Sequence, residues 1–131
     1  MLAANMQAFT APLTSSRGLP NIAYNDPRVF AFERDHVLGN SWAAIGFASE
    51  LPGPGFARPV DFMGVPLLML RDRNSNLKVF HNVCSHRGMK LVSEATQLRA
   101  VIRCPYHSWS YGFDGQLKST PCIGGTDRDS C

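Results

Sequence analysis

The sequence predicts an all-β fold, mainly antiparallel, with one helix near its start. Three observations point there. Nine prolines and eleven glycines in 131 residues supply more turns than a helical bundle would use. Short apolar runs alternate with polar turns between residues 42 and 80. Only one segment, about 27–38, carries apolar residues at helical spacing. A composition of 44% hydrophobic and 18% charged residues is that of an ordinary globular protein, and the length suits one domain.

The elements follow in order. Residues 1–24 read as an N-terminal arm, acid-free and with a single arginine. Its composition has something of a transit peptide, but a plain arm is the preferred reading. Asp26 then makes a good N-cap, and Pro27 fits the first helical position, where its missing N–H is not needed. The helix runs to about residue 38 and is stopped by Gly39-Asn40. Trp42–Ala48 is expected to be a strand. Leu51-Pro52-Gly53-Pro54-Gly55 is a turn-rich loop. Phe56–Phe62 alternates loosely, and Val65–Leu70 is a buried strand with Pro66 tolerated near its start. Residues 71–76 form a polar turn, and Leu77–Phe80 returns as the partner strand of a hairpin. Leu91, Val92, Val101, Ile102, Phe113 and Leu117 are the expected filling of the sheets beyond. The domain is placed at 25–124, with 125–131 a linker cut midway.

Several functions are disfavoured at once. The net charge is only +3 and no basic run exceeds a pair, which gives nucleic-acid binding little support. No apolar stretch approaches the roughly 20 residues of a membrane helix. Four cysteines are too few for a dense disulfide scaffold, and two sit beside histidines. The protein is therefore placed in a reducing cytoplasm.

The chemistry sits in two short segments, Cys84-Ser85-His86-Arg87-Gly88 and Cys104-Pro105-Tyr106-His107-Ser108-Trp109, with seventeen residues between His86 and Cys104. Each offers one thiolate and one imidazole to a metal centre. Two of each suit tetrahedral zinc or an iron–sulfur cluster. Zinc spacings usually pair Cys with Cys and His with His. The order here is Cys, His, Cys, His, which a two-iron cluster accommodates better. A structural zinc module stays open as an alternative.

Asn82 to Gly88, then Cys104 to Tyr111 and on to Asp114-Gly115, resembles the N-terminal Rieske [2Fe–2S] domain of Rieske non-haem iron oxygenase α subunits, the ring-hydroxylating dioxygenases and their relatives. Asp26-Pro27, Phe30, Glu33 and Trp42 extend the resemblance upstream. It implies small stacked antiparallel sheets with two ligand loops at one tip. It also implies that Cys84 and Cys104 bind one iron of a [2Fe–2S] cluster, and His86 and His107 the other. Arg87, Gly88, Tyr106, Trp109 and Tyr111 would surround them. Tyr111 either donates a hydrogen bond to the cluster or only packs. Ser108 is a mild departure, since the family often has glycine there. Met89 and Tyr106 stand where Rieske proteins of respiratory complexes carry two further cysteines. Trp109 stands where those proteins place a serine hydroxyl near a cluster sulfur, and fewer hydrogen bonds to sulfur then place the potential low in the Rieske range, at about −150 mV.

The resemblance also implies partners. A reductase or ferredoxin would donate electrons, and a mononuclear iron in an oxygenase catalytic domain would accept them across a subunit boundary of a homotrimer. The motif for that iron is absent, so this chain alone should not hydroxylate a substrate and reads as a fragment. Trp109 and the N-terminal helix argue against a free-standing Rieske ferredoxin, the other carrier reading. Thr120–Gly125 resembles relatives acting on quaternary ammonium compounds. His36 and His81 are expected to be structural, and Cys122 and Cys131 ordinary free thiols.

Overall fold

In the computed structural model, residues 11–121 are described. They fall into two units, divided between Ala44 and Ile45. Cys122, Cys131, the tail from 125 and most of Thr120–Gly125 lie outside the described residues.

In the first unit a short α1 (Ile22–Asn25), not anticipated, precedes α2 (Pro27–Phe32). Asp26 caps α2 as its sequence suggests: its carboxylate accepts the Arg28 N–H at 2.8 Å, and Pro27 stands at the first turn. The helix expected to 38 is not regular throughout. It widens to π geometry over Glu33–Val37 and tightens to a 3₁₀ turn over Leu38–Asn40. Within this stretch the Phe32 and His36 rings stack at 4.4 Å, and His36 Nδ1 meets the Phe32 carbonyl at 3.2 Å.

The second unit holds two antiparallel sheets. The first has the order β3-β2-β1-β4, from β1 (Phe56–Phe62), β2 (Val65–Arg71), β3 (Leu77–His81) and β4 (Thr96–Gln97). The second has the order β5-β6-β7, from β5 (Ile102–Arg103), β6 (Ser110–Tyr111) and β7 (Leu117–Ser119). β2 is an interior strand of the first sheet and buries three residues in a row, Leu68, Met69 and Leu70, as a strand covered on both faces does. Leu68 and Leu70 point inward at 0% exposure, and their β1 partners are Pro59 and Ala57. They join Ala57, Val92, Ile102, Tyr111, Phe113, Cys84 and Cys104 in one apolar core. Burial of Val92, Ile102 and Phe113 agrees with the sequence expectation, whereas Leu117 is 45% exposed on β7. A two- or three-residue edge strand has little opposite sheet to cover it.

The strand expected at Trp42–Ala48 does not form; the chain passes into a 3₁₀ turn at Ala48–Glu50. Two of its backbone groups, one donor and one acceptor, are taken up elsewhere. The Phe47 N–H bonds the Glu50 carboxylate at 2.8 Å, and Arg71 donates to the Ala48 and Leu51 carbonyls at 2.9 and 2.8 Å. A side chain at Gly46 would collide with the Glu50 carboxylate and with Met69.

Asp72 organises the turn between β2 and β3. Its Oδ1 accepts the Asn74 and Asn76 N–H groups at 2.9 and 2.8 Å. Desolvation opposes the charged carboxylate, but these bonds, with the Asn76 amide and nearby Lys78, win and hold its pKa below the ordinary value. A depressed carboxylate stabilises the fold above the unfolded pKa, and that stability is lost as pH falls through the folded one. The melting temperature of wild type should therefore exceed that of Asp72→Asn by a constant margin above pH ~5, on the reference carboxylate scale. The gap should close as pH drops below the ordinary value of 3.8. Thermal melts across pH 2–7 read this directly.

Candidate metal centre

Two ligand loops of one design face each other across the end of the core. In the first, the Cys84 N–H donates to the Met89 carbonyl at 2.7 Å, and the Gly88 N–H returns to the Cys84 carbonyl at 2.9 Å. In the second, the Cys104 N–H donates to the Trp109 carbonyl at 2.8 Å, and the Ser108 N–H returns to the Cys104 carbonyl at 3.0 Å. Cys84 thus matches Cys104, Gly88 matches Ser108, and Met89 matches Trp109. A Val83–Lys90 bridge closes the first stem, and the Arg103–Ser110 pair of β5 and β6 closes the second.

The matched fifth position explains two residues. Gly88 has φ +69° and Ser108 φ +60°. This left-handed conformation is free to glycine and costs other residues roughly 1–2 kcal/mol. Ser108 accepts that strain. Ser108→Gly should therefore stabilise the protein by about 0.5–1 kcal/mol, after allowing for glycine's freer unfolded chain. Chemical denaturation should show a higher midpoint with an unchanged slope.

The loops bring the four candidate donors together. Cys84 and Cys104 are each 2% exposed and neither is in a disulfide. The His86 and His107 rings meet edge to face at 4.8 Å. Trp109 stacks on His86 at 4.7 Å, and Tyr106 lies over His107 at 3.7 Å. These two aromatic rings fix the imidazole planes. Arg87 is exposed, and only its backbone N–H turns toward the Cys84 sulfur.

Tyr111 reaches the site from β6, beside an irregularity in the partner strand β7. Ser110 pairs with Ser119 but Tyr111 pairs with Leu117, so Lys118 is bulged out. Bulges of this kind re-aim the neighbouring side chain. The Tyr111 hydroxyl lies 3.1 Å from Cys84 Sγ, across 27 residues of sequence. Burial raises the Cys84 thiol pKa, but the hydrogen bonds from Tyr111, the His86 and Arg87 N–H groups and Cys104 outweigh it and bring it below the ordinary value. Tyr111 moves the other way, pushed up by burial and by Cys84. His86 is pushed down by desolvation, with His107 and Arg87 adding repulsion. Thiolate sulfurs and neutral imidazoles are the states a metal centre takes up.

The donor set can be tested against a two-iron cluster. His107 Nδ1 is a buried ring nitrogen with no hydrogen-bond partner. A buried polar atom without a partner is costly, and a metal bond accounts for it. Trp109 Nε1 is also buried and unpartnered, and the stacking on His86 does not satisfy it. Among the described residues no three His, Cys, Asp or Glu side chains gather about a point that one ion could occupy. Two irons divide four donors into two pairs, and the residues fit that division.

Two residues of the first motif, to which the sequence assigns no role, have a clear part in the site. Asn82, fully buried, spans the stem of the first loop. Its amide donates to the Val92 carbonyl at 2.7 Å and accepts the Val92 N–H at 3.0 Å. Ser85 meets Tyr111 twice, through its N–H at 3.0 Å and its hydroxyl at 2.9 Å. His81, at the end of β3, lines a cavity of about 200 Å³ behind Tyr111 and does not join the four donors.

Comparisons with known proteins identify the family and relatives of the chain. The Rieske [2Fe-2S] domain family matches residues 41–127. The chain is 39% identical over 99 residues to the glycine betaine monooxygenase oxygenase subunit of Chromohalobacter salexigens, covering 76% of this chain and 22% of that protein. It is 34% identical over 99 residues to the carnitine monooxygenase oxygenase subunit of Escherichia coli K12, covering 76% and 26%. Among solved structures, naphthalene 1,2-dioxygenase from a Rhodococcus species bound to indole superposes with a TM-score of 0.79 at 28% identity. It covers 91% of this chain and 27% of that one. A quaternary ammonium Rieske monooxygenase in complex with L-carnitine gives 0.74 at 31% identity, over 84% and 32%. The chain thus spans about a quarter of the length of the curated relatives it matches.

Proposed function

Because the chain belongs to the Rieske [2Fe-2S] domain family, we propose that it passes single electrons, with Cys84 and Cys104 holding one iron of its cluster and His86 and His107 the other. The carrying observation is the pair of matched loops, which set two buried thiols and two edge-to-face imidazoles at one end of the core. When bound, the group supplies a one-electron carrier whose potential lies above that of an all-thiolate cluster, because neutral imidazole replaces anionic thiolate on one iron.

The chain's own residues then have separate tasks. The two thiolates anchor the inner edge of the site in the core, where water is excluded. His86 and His107 form its outer edge. Trp109 and Tyr106 clamp their rings, which limits reorganisation when charge changes. Tyr111 points a hydroxyl at the Cys84 sulfur, and a donor there favours the more negative reduced state.

In the whole protein, this unit would take electrons from a reductase or ferredoxin and pass them to a mononuclear iron in an oxygenase catalytic domain. The related quaternary ammonium monooxygenase is described as using inter-subunit electron transfer. The acceptor proposed here is accordingly a neighbouring chain's catalytic domain in a homotrimer. A quaternary ammonium substrate for that whole protein is supported by the glycine betaine and carnitine monooxygenase relatives. No helix among the described residues is long and apolar enough to cross a membrane, and a reducing cytoplasm suits two unpaired buried thiols.

The test is an EPR spectrum of the dithionite-reduced chain, with iron, sulfide and zinc analysis of the same sample. A rhombic signal with two irons and two sulfides per chain is expected. A colourless, EPR-silent protein with one zinc per chain would overturn the proposal.

A further inference from the structure

We infer that Ser85 is a positioning residue for the potential of this site, acting through Tyr111 and not on the cluster itself. The inference rests on the proposed ligation by Cys84. It starts from a count of protons around the Tyr111 oxygen.

Three groups surround that oxygen: Cys84 Sγ at 3.1 Å, the Ser85 N–H at 3.0 Å and the Ser85 hydroxyl at 2.9 Å. Tyrosine has one proton to donate. A cysteine sulfur that ligates iron has none, so only the tyrosine proton can bridge oxygen and sulfur. The Ser85 N–H can only donate to the oxygen. The Ser85 hydroxyl is the one group whose role is free, and with the tyrosine proton committed to sulfur it must donate too. Tyr111 then accepts two hydrogen bonds from Ser85 and gives one to Cys84.

That arrangement has two consequences. An oxygen that accepts hydrogen bonds becomes a stronger donor, because chained bonds polarise one another. Ser85 also holds the oxygen from two sides, so the donor stays aimed at sulfur. Both favour the reduced state. The Ser85 N–H and hydroxyl both bond the Tyr111 oxygen, so the influence of its side chain should run through the tyrosine.

The experiment is a redox titration of the cluster-loaded chain, followed by EPR, for wild type, Ser85→Ala, Tyr111→Phe and the double variant. Ser85→Ala should lower the equilibrium constant for one-electron reduction about threefold. At 59 mV per tenfold for one electron, that is a shift of about −28 mV. Tyr111→Phe should lower it more, about tenfold, or about −59 mV on the same scale. Adding Ser85→Ala to Tyr111→Phe should change nothing further. The isosteric pair Ser85→Thr and Ser85→Val guards against a folding defect. Thr keeps the hydroxyl and should hold the wild-type potential, while Val should fall with Ala.

An unshifted potential in both Ala and Val variants overturns the inference. So does a shift that persists undiminished in the Tyr111→Phe background, which would mean Ser85 acts on the cluster directly. A wild-type chain without iron and sulfide is a different result, and it overturns the proposed function first.

Discussion

Cys104→Ser should purify colourless, with iron and acid-labile sulfide below a tenth of the wild-type content per chain. The thiol it replaces is 2% exposed and part of the apolar core. Its loop is already closed by two backbone bonds, so the sulfur is presented without further ordering. A serine hydroxyl is far less acidic than a thiol and is a poor substitute for soft thiolate at iron. Losing it leaves one iron with a single protein donor. The same change buries a hydroxyl among Leu68, Val92 and Ile102, at a cost of roughly 1–3 kcal/mol if it finds no partner. Stability should fall further than that, because a group that binds only the folded chain adds its binding free energy to folding. Circular dichroism on the same samples separates loss of cluster from loss of fold. The metal-free wild type is the reference, and Cys104→Ser should match its spectrum. As a control, Cys122→Ser and Cys131→Ser should keep full iron, being outside the two loops. A Cys104→Ser chain that kept half its iron would remove this cysteine from the ligand set.

What the sequence made legible and what it hid divide along one physical line. The β1–β2–β3 meander was readable because its signals are local. Short apolar runs mark the strands, and Asp72, Asn74 and Asn76 mark the turn. The two ligand loops were readable because Cys and His at short spacing have few other uses. The Trp42–Ala48 segment reads as a strand because it is a similar short apolar run. It failed because Glu50 and Arg71 take up its backbone groups, and no local pattern announces a side chain that competes for a ladder. The tail of the helix was misjudged as regular for a similar reason, since helical spacing does not distinguish α from π geometry. The contacts of Tyr111 were the hardest to read. They join residues 26 and 27 positions apart, and spacing alone does not reveal a contact between such distant segments.

The role of Asn82 belongs to the hidden part, and its removal should be strongly destabilising although it is not a candidate ligand. Its side chain is 0% exposed and satisfies both backbone groups of Val92. Its own N–H donates to the Pro66 carbonyl at 2.8 Å, which ties the first ligand loop to β2. Asn82→Ala keeps that last bond but strands a buried N–H and a buried C=O at Val92. Each stranded group costs roughly 1–3 kcal/mol, and the vacated amide adds a small cavity penalty. A total of about 3–5 kcal/mol is expected, a large share of the 5–15 kcal/mol that holds a typical domain together. Asn82→Asp should do no better. It keeps an acceptor for the Val92 N–H but loses the donor and sets a carboxylate against the Val92 carbonyl in a dry site. The staple crosses the stem of the loop and not its tip, so the loss should appear in both cluster-loaded and metal-free protein. Urea unfolding of the two forms measures it. A loss below about 1 kcal/mol in both would mean that water replaces the amide at Val92. A loss confined to the loaded form would instead assign Asn82 to presenting Cys84, two residues on, with no part in holding the sheets together.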